Sequence, residues 1–231
     1  KGVRAAIEQE LSDWETLGVE GHFKGKNPWY SYHEPLLAPA GRVVGAKPSE
    51  VALMNSLTTN LHLLMVSFYR PQTTRYKILI EGSAFPSDRY AVASQAHFHG
   101  YDPNDAIIEM QPREGEDCLR LEDIERLLTD QGHEIALVLF GGVNYYTGQA
   151  FDMQAITQLG QSQGCVVGFD LAHAAGNLAL QLHDWNVDFA AWCSYKYMNS
   201  GPGGISGIFV HDRHESATDK LPRFCGWWGV D

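Results

Sequence analysis

The sequence predicts an α/β fold, a mostly parallel sheet with helices on both faces in a three-layer α/β/α arrangement. From about residue 51 onward, short apolar runs of strand length alternate with segments of helical period. The chemically conspicuous residues fall at the carboxyl ends of those runs, where open α/β sheets bind ligands. A length of 231 residues with 44% hydrophobic content is enough to bury a sizeable core.

Taken in order, residues 3–17 carry an amphipathic helical period, and 24–44, rich in Pro, Gly and aromatics, read as an irregular segment suited to substrate-contacting loops. A strand over 51–55 leads into a helix over 61–69. A second strand over 76–81 precedes a helix over 88–97, with Asp88 suited to cap it. A helix over 121–130 then precedes a strand over 135–140, and Asp152 caps a helix over 152–163. The apolar runs 165–170, 189–194 and 204–211 are the last strands, with a helix over 174–185 between the first two.

The net charge of -11 and the lack of any Lys/Arg cluster argue against a nucleic-acid partner. No apolar stretch approaches the roughly 20 residues of a membrane helix. Cys118, Cys165, Cys193 and Cys225 are far apart and form no C-x-x-C pair, which favours free thiols in a reducing, cytoplasmic compartment. Neither end carries a recognisable terminus signal. The pairs His97/His99 and His211/His214 sit in polar segments with no third ligand at zinc spacing, so no metal is expected and solvated loops are the simpler reading. The paired glycines 141–142 and 203–204 form neither a G-x-G-x-x-G nor a P-loop.

Lys196 follows the apolar run Phe189-Ala190-Ala191-Trp192-Cys193, poor company for a charged side chain unless its amine has a partner. Asp170 ends the apolar run Val166-Val167-Gly168-Phe169. A lysine can hold a pyridine aldehyde as a Schiff base, and a buried carboxylate facing the ring nitrogen keeps it protonated. That pair points to pyridoxal 5'-phosphate (PLP). His173, three residues past Asp170, could turn back toward the same ligand; alone it reads as a structural histidine. Phe85, after the second strand, could lie flat on a ring, or pack in the core while Asp88 caps a helix. Residues 56–60, ahead of an apolar helix, suit a phosphate through free N–H groups and the Thr58 hydroxyl, although alone they favour a Thr/Asn cap with no ligand.

Six segments in order, Met54-Asn55-Ser56-Leu57-Thr58-Thr59-Asn60, Phe85-Pro86-Ser87-Asp88, Val143-Asn144-Tyr145-Tyr146-Thr147-Gly148-Gln149, Gly168-Phe169-Asp170-Leu171-Ala172-His173, Ser194-Tyr195-Lys196-Tyr197-Met198-Asn199 and Gly226-Trp227-Trp228-Gly229, resemble the kynureninases, PLP enzymes of the aspartate aminotransferase fold type. The resemblance implies hydrolysis of L-kynurenine or its 3-hydroxy derivative in tryptophan catabolism and NAD biosynthesis. It implies that Lys196 binds the cofactor aldehyde, Asp170 pairs with the ring nitrogen and Phe85 stacks on the ring, with His173 beside it. Leu57, Thr58, Tyr195 and Trp227 would hold the phosphate, and Pro86, Ser87 and Asp88 would complete the pocket. Tyr195 is the candidate proton donor, and His22 falls near the substrate's aromatic end. Gly141 stands where some relatives have a cofactor-touching serine, and its N–H is a candidate substitute. The resemblance further implies a homodimer. It divides the chain into an N-terminal helix and irregular substrate-side segment (1–45) and a PLP-binding large domain (46–231), with a small C-terminal domain beyond it. Other readings are a cysteine desulfurase or selenocysteine lyase, for which Cys225 is the candidate nucleophile, and a non-catalytic descendant, against which the retention of Lys196 and Asp170 speaks.

Overall fold

Alternate residues of the strands go to opposite faces of one sheet, and this alternation builds two cores. Leu79, Val138, Phe140, Val167, Phe169 and Ala190 pack on one side, and Ile78, Ile80, Leu137, Leu139, Phe189 and Ala191 on the other. The structure, a computed structural model, describes residues 2–217 and 221–225. Among them the strands are β1 (Val51–Leu53), β2 (Lys77–Glu81), β3 (Ile107–Met110), β4 (Ile135–Gly141), β5 (Val166–Asp170), β6 (Phe189–Trp192) and β7 (Gly207–Val210). Their order is β1-β7-β6-β5-β4-β2-β3. The run from β6 to β3 is parallel, and β7 pairs antiparallel with both β6 and β1. Both faces of the strands are buried, so they read as continuous apolar runs instead of alternating ones.

The helices are α1 (Gly2–Leu17), α2 (Glu34–Val44), α3 (Leu57–Phe68), α4 (Pro86–Phe98), α5 (Pro103–Ala106), α6 (Leu121–Gln131) and α7 (Met153–Ser162). In α3, Leu57, Leu61, Leu64, Met65 and Phe68 recur at helical spacing and join the second core, while α2, α6 and α7 contribute to the first. This confirms the three-layer α/β/α class. Helix α1 buries none of its residues and leaves Val3, Ile7, Leu11 and Trp14 exposed. Among the described residues no helix is long and apolar enough to cross a membrane.

Several expectations are corrected. Residues 34–44 are helical despite Pro39, because Leu37, Ala40 and Val44 share a face that joins the first core. Helix α3 begins at Leu57, four residues earlier than its apolar run suggested, with Ser56 Oγ accepting from the Thr59 N–H. Residues 174–185 are not a helix. Gly176 has a left-handed φ of 80° and lies against the Tyr197 backbone, and the Leu182 and His183 N–H groups donate to the carbonyls of Val44, the last residue of α2, and Gly45 after it. Strand β3 has no counterpart among the predicted elements.

The amino end of the sheet is closed by Arg75. Its guanidinium donates to the Gly132, Ile135 and Gln163 carbonyls at 2.9–3.1 Å. Within the second core, Phe189 stacks on Phe68 of α3 with ring centroids 5.0 Å apart. Space for that ring comes from Gly168 on the neighbouring strand, where a Cβ would stand 2.3 Å from Phe189 Cζ. Gly168→Ala is therefore expected to lower unfolding free energy by about 1–3 kcal/mol through overpacking, measured by urea denaturation, with Gly2→Ala as a control where a Cβ meets nothing within 4 Å.

Candidate active site

The carboxyl ends of β2, β4 and β5 bring Glu81, Gly141 and Asp170 into one row, and Lys196 reaches it from the turn after β6. Phe85, Asp88, Val143, Tyr145, Ala172 and His173 complete the cleft. Four strand ends supply it, which explains why residues 115 positions apart, Glu81 and Lys196, meet across it.

Asp170 is 5% exposed and its Oδ1 accepts from the Ala172 N–H at 2.6 Å. Asp88, in the first turn of α4, donates a second hydrogen bond to it. Two carboxylates at this separation cannot both be charged, so the pair shares a proton. Burial raises both carboxyls, and the proton sits on Asp88, pushed up to about 10 by burial and by the charge and hydrogen bonding of Asp170. Asp170 keeps the negative charge because Asp88, the Ala172 N–H and the Lys196 amine all favour it. Asp88 is therefore not the helix cap that its position suggested. Phe85 occupies that place with extended backbone and Pro86 follows as the first helical residue, leaving the Asp88 side chain free to turn into the cleft.

Phe85 is 46% exposed, with its ring edge-on to Tyr145 at 5.2 Å. The Lys196 Nζ lies 5.9 Å from the Phe85 ring centroid, 5.4 Å from that of Tyr195, and 3.6 Å from Cys193 Sγ. Strand β6 has ended at Trp192, so Lys196 and Tyr195 occupy a turn in which strict strand alternation no longer separates them. Burial, with Cys193 beside it, raises the Tyr195 phenol, which stays protonated. Burial and the neighbouring Lys196 charge lower His173, which is held as a neutral imidazole.

Beside the cleft, α3 and α4 start next to each other, joined by Thr58 Oγ1 and Ser87 Oγ at 3.1 Å. The first-turn N–H groups of Leu57 and Thr58 have no intrahelical acceptor. With the two hydroxyls and the positive ends of two helix dipoles, this corner suits a phosphate. An amine, an anionic carboxylate and an open aromatic face within one cleft, flanked by an anion corner, make a donor set that fits a phosphorylated pyridine aldehyde.

Gly141 lines the cleft, but its N–H is not free for a ligand: both Glu81 oxygens lie 3.1 Å from it. His22 is not brought to the cleft. It packs edge-on to Trp29 at 5.4 Å and its Nδ1 meets the Val19 carbonyl. Trp227 lies outside the described residues. Cys225 is exposed and is not among the cleft residues. Glu81 was missed by sequence reasoning, although it ends the run Ile78-Leu79-Ile80 as Asp170 ends its own. Residues 211–214 are not a solvated loop either. His211 is buried against Glu50 and stacks on His183, and its Nδ1 accepts from the Arg213 N–H, while His214 bonds Asp188. Chain separations of more than 130 residues hid that cluster.

Residues 1–223 match the family described as aminotransferase class-V. The chain is 65% identical to a kynureninase of Koribacter versatilis, over 100% of this chain and 54% of that protein. It is 58% identical to a kynureninase of Nematostella vectensis, over 100% of this chain and 50% of that one. It thus spans about half the length of the curated relatives it matches. Among solved structures it resembles a cysteine desulfurase from Thermococcus onnurineus, with TM-score 0.70 and 15% identity over 97% of this chain and 57% of that one. It also resembles the cystine C-S lyase C-DES in complex with cysteine persulfide, with TM-score 0.75 and 19% identity over 96% and 57%. At such identities the likeness is one of fold.

The shared proton makes stability depend on pH. Asp88 holds its proton up to about pH 10 in the folded chain but loses it near its ordinary value of 3.8 when unfolded, so its contribution weakens stability as pH rises between those limits. Asp88→Asn keeps a donor to Asp170 at every pH. In the ligand-free protein its unfolding free energy relative to wild type, measured by urea denaturation, is expected to climb steadily from pH 5 to pH 9, by at most about 1.4 kcal/mol per pH unit; a pH-independent difference would refute the shared proton.

Proposed function

We propose that this chain, which belongs to the aminotransferase class-V family, is the cofactor-holding part of a PLP-dependent hydrolase. The full-length enzyme cleaves L-kynurenine or 3-hydroxy-L-kynurenine with water to anthranilate or 3-hydroxyanthranilate and L-alanine, a step of tryptophan catabolism and NAD biosynthesis. One observation carries this reading: Lys196, Asp170 and Phe85, from separate strand ends, converge on one cleft in a chain 65% identical to a kynureninase.

When bound, pyridoxal phosphate supplies an electron sink for carbanions at the substrate. Lys196 is the residue that would bind its aldehyde, and its amine would move the proton at the substrate α-carbon. Asp170 accepts a hydrogen bond from the protonated ring nitrogen, and Asp88 keeps Asp170 anionic by carrying the pair's proton. Phe85 bounds one face of the ring. Leu57 and Thr58 N–H groups, with the Thr58 and Ser87 hydroxyls, hold the phosphate. Trp227 and Tyr195 are further proposed phosphate contacts, and His22, which lies outside the cleft against Trp29, is proposed to meet the substrate's aromatic end beyond it. Hydrolysis needs water at the γ-carbonyl and a proton at the departing carbon. The protonated Tyr195 phenol, whose ring lies beside the Lys196 amine, is the assigned donor. The working enzyme is assigned as a cytoplasmic homodimer, completed by a small C-terminal domain.

The test is borohydride reduction of the full-length protein after incubation with PLP, followed by peptide mapping. A pyridoxyl adduct is expected at Lys196 alone. Lys196→Ala is expected to lose it and to reduce kcat for anthranilate release by about 10³-fold or more. Adducts scattered over surface lysines would overturn the assignment.

A further inference from the structure

Glu81 takes no part in the chemistry above, yet it lies in the same cleft and is 5% exposed. Both its oxygens stand 3.1 Å from one N–H, that of Gly141. A Cβ at residue 141 would come within 2.8 Å of Glu81 Oε1, so the glycine is what gives this carboxyl its place. The titratable groups that share the cleft with it are Asp170 from β5, Asp88 from α4, His173 after β5 and Lys196 from the turn after β6. On the β3 side Met110 is uncharged, and Glu109 is already paired with Arg89 of α4. The cleft thus holds three carboxyls and one lysine.

We propose that Glu81 is a positioning residue that exchanges a proton with solvent as the cofactor binds, partly protonated in the open cleft and fully ionised once a cationic ring faces Asp170. The inference rests on the PLP reading above. The O–H bond of the Glu81 carboxyl breaks, its proton leaves to solvent, and the electron pair stays on the carboxylate. The added negative charge offsets the positive charge of the ring, so the ring nitrogen keeps its proton. Burial sets the resting state, pushing the carboxyl up to about 7, where a nearby cation is sufficient to switch it.

Calorimetric titration of the full-length protein with PLP, in buffers of different ionisation enthalpy, counts the protons exchanged. Wild type minus Glu81→Gln is expected to show an extra release of about half a proton at pH 7 and none at pH 9, where the carboxyl is already ionised. Glu81→Asp, which keeps an ionisable group, is expected to restore part of the release. PLP binding with equal proton counts in wild type and Glu81→Gln overturns the role of Glu81 and leaves the cofactor assignment standing. Failure of the wild type to bind PLP overturns both. Should Glu81→Gln not fold, the infrared carbonyl stretch of protonated carboxyls in the wild type serves instead: it is expected to weaken on adding PLP at pH 7, and an unchanged band overturns the proposal.

Discussion

A carboxylate deep in a protein must be matched by hydrogen bonds or opposite charge, and the arrangement of this cleft follows from meeting that demand at Asp170. The strand that carries it is buried on both faces, so its end cannot reach out to water. Compensation comes locally from the Ala172 N–H and at long range from Asp88, which must enter from α4 with its proton on. That requirement fixes where α4 begins. Phe85 and Pro86 stop the extended chain just short of the cleft, and the first helical turn then aims Asp88 inward while leaving the Phe85 ring at the rim.

The same start of α4 couples the anion corner to the carboxyl row. Ser87, between Pro86 and Asp88, reaches Thr58 on α3 instead of Asp170. Adjacent residues of one turn thus serve opposite electrostatic ends of the cleft, hydroxyls and helix N–H groups on one side and carboxyls on the other. A rigid ligand with a phosphate at one end and a basic ring nitrogen at the other matches that polarity. It is the spacing between two helix starts and a strand end, not any single side chain, that measures the ligand's length.

Much of this was legible in the sequence, because buried parallel strands leave uninterrupted apolar runs and because Asp170 and Lys196 break such runs with charge. Six of the strands could be read that way. β3 could not, since Ile107–Met110 is short and contains Glu109, whose charge is neutralised by Arg89 from a helix. Residues 174–185 look helical by composition, yet Gly176 takes a left-handed conformation and the Leu182 and His183 N–H groups bond the end of α2. Asp88 carries the local signature of a cap, and only the position of β5 reveals its other use. Glu81 was overlooked because a glutamate at a strand end is unremarkable until Gly141, sixty residues on, is seen to leave room for it.

The two ends of the sheet differ in kind. At the amino end Arg75 gathers three carbonyls, and arginine does not give up its proton where proteins fold. At the carboxyl end the ties are carboxyls that share or lose protons between neutrality and mild alkali. The Arg75 tie therefore holds at any pH, whereas the ties around the cleft answer to acidity. The cleft can change its charge while the Arg75 tie at the far end of β2, β4 and β5 keeps its own.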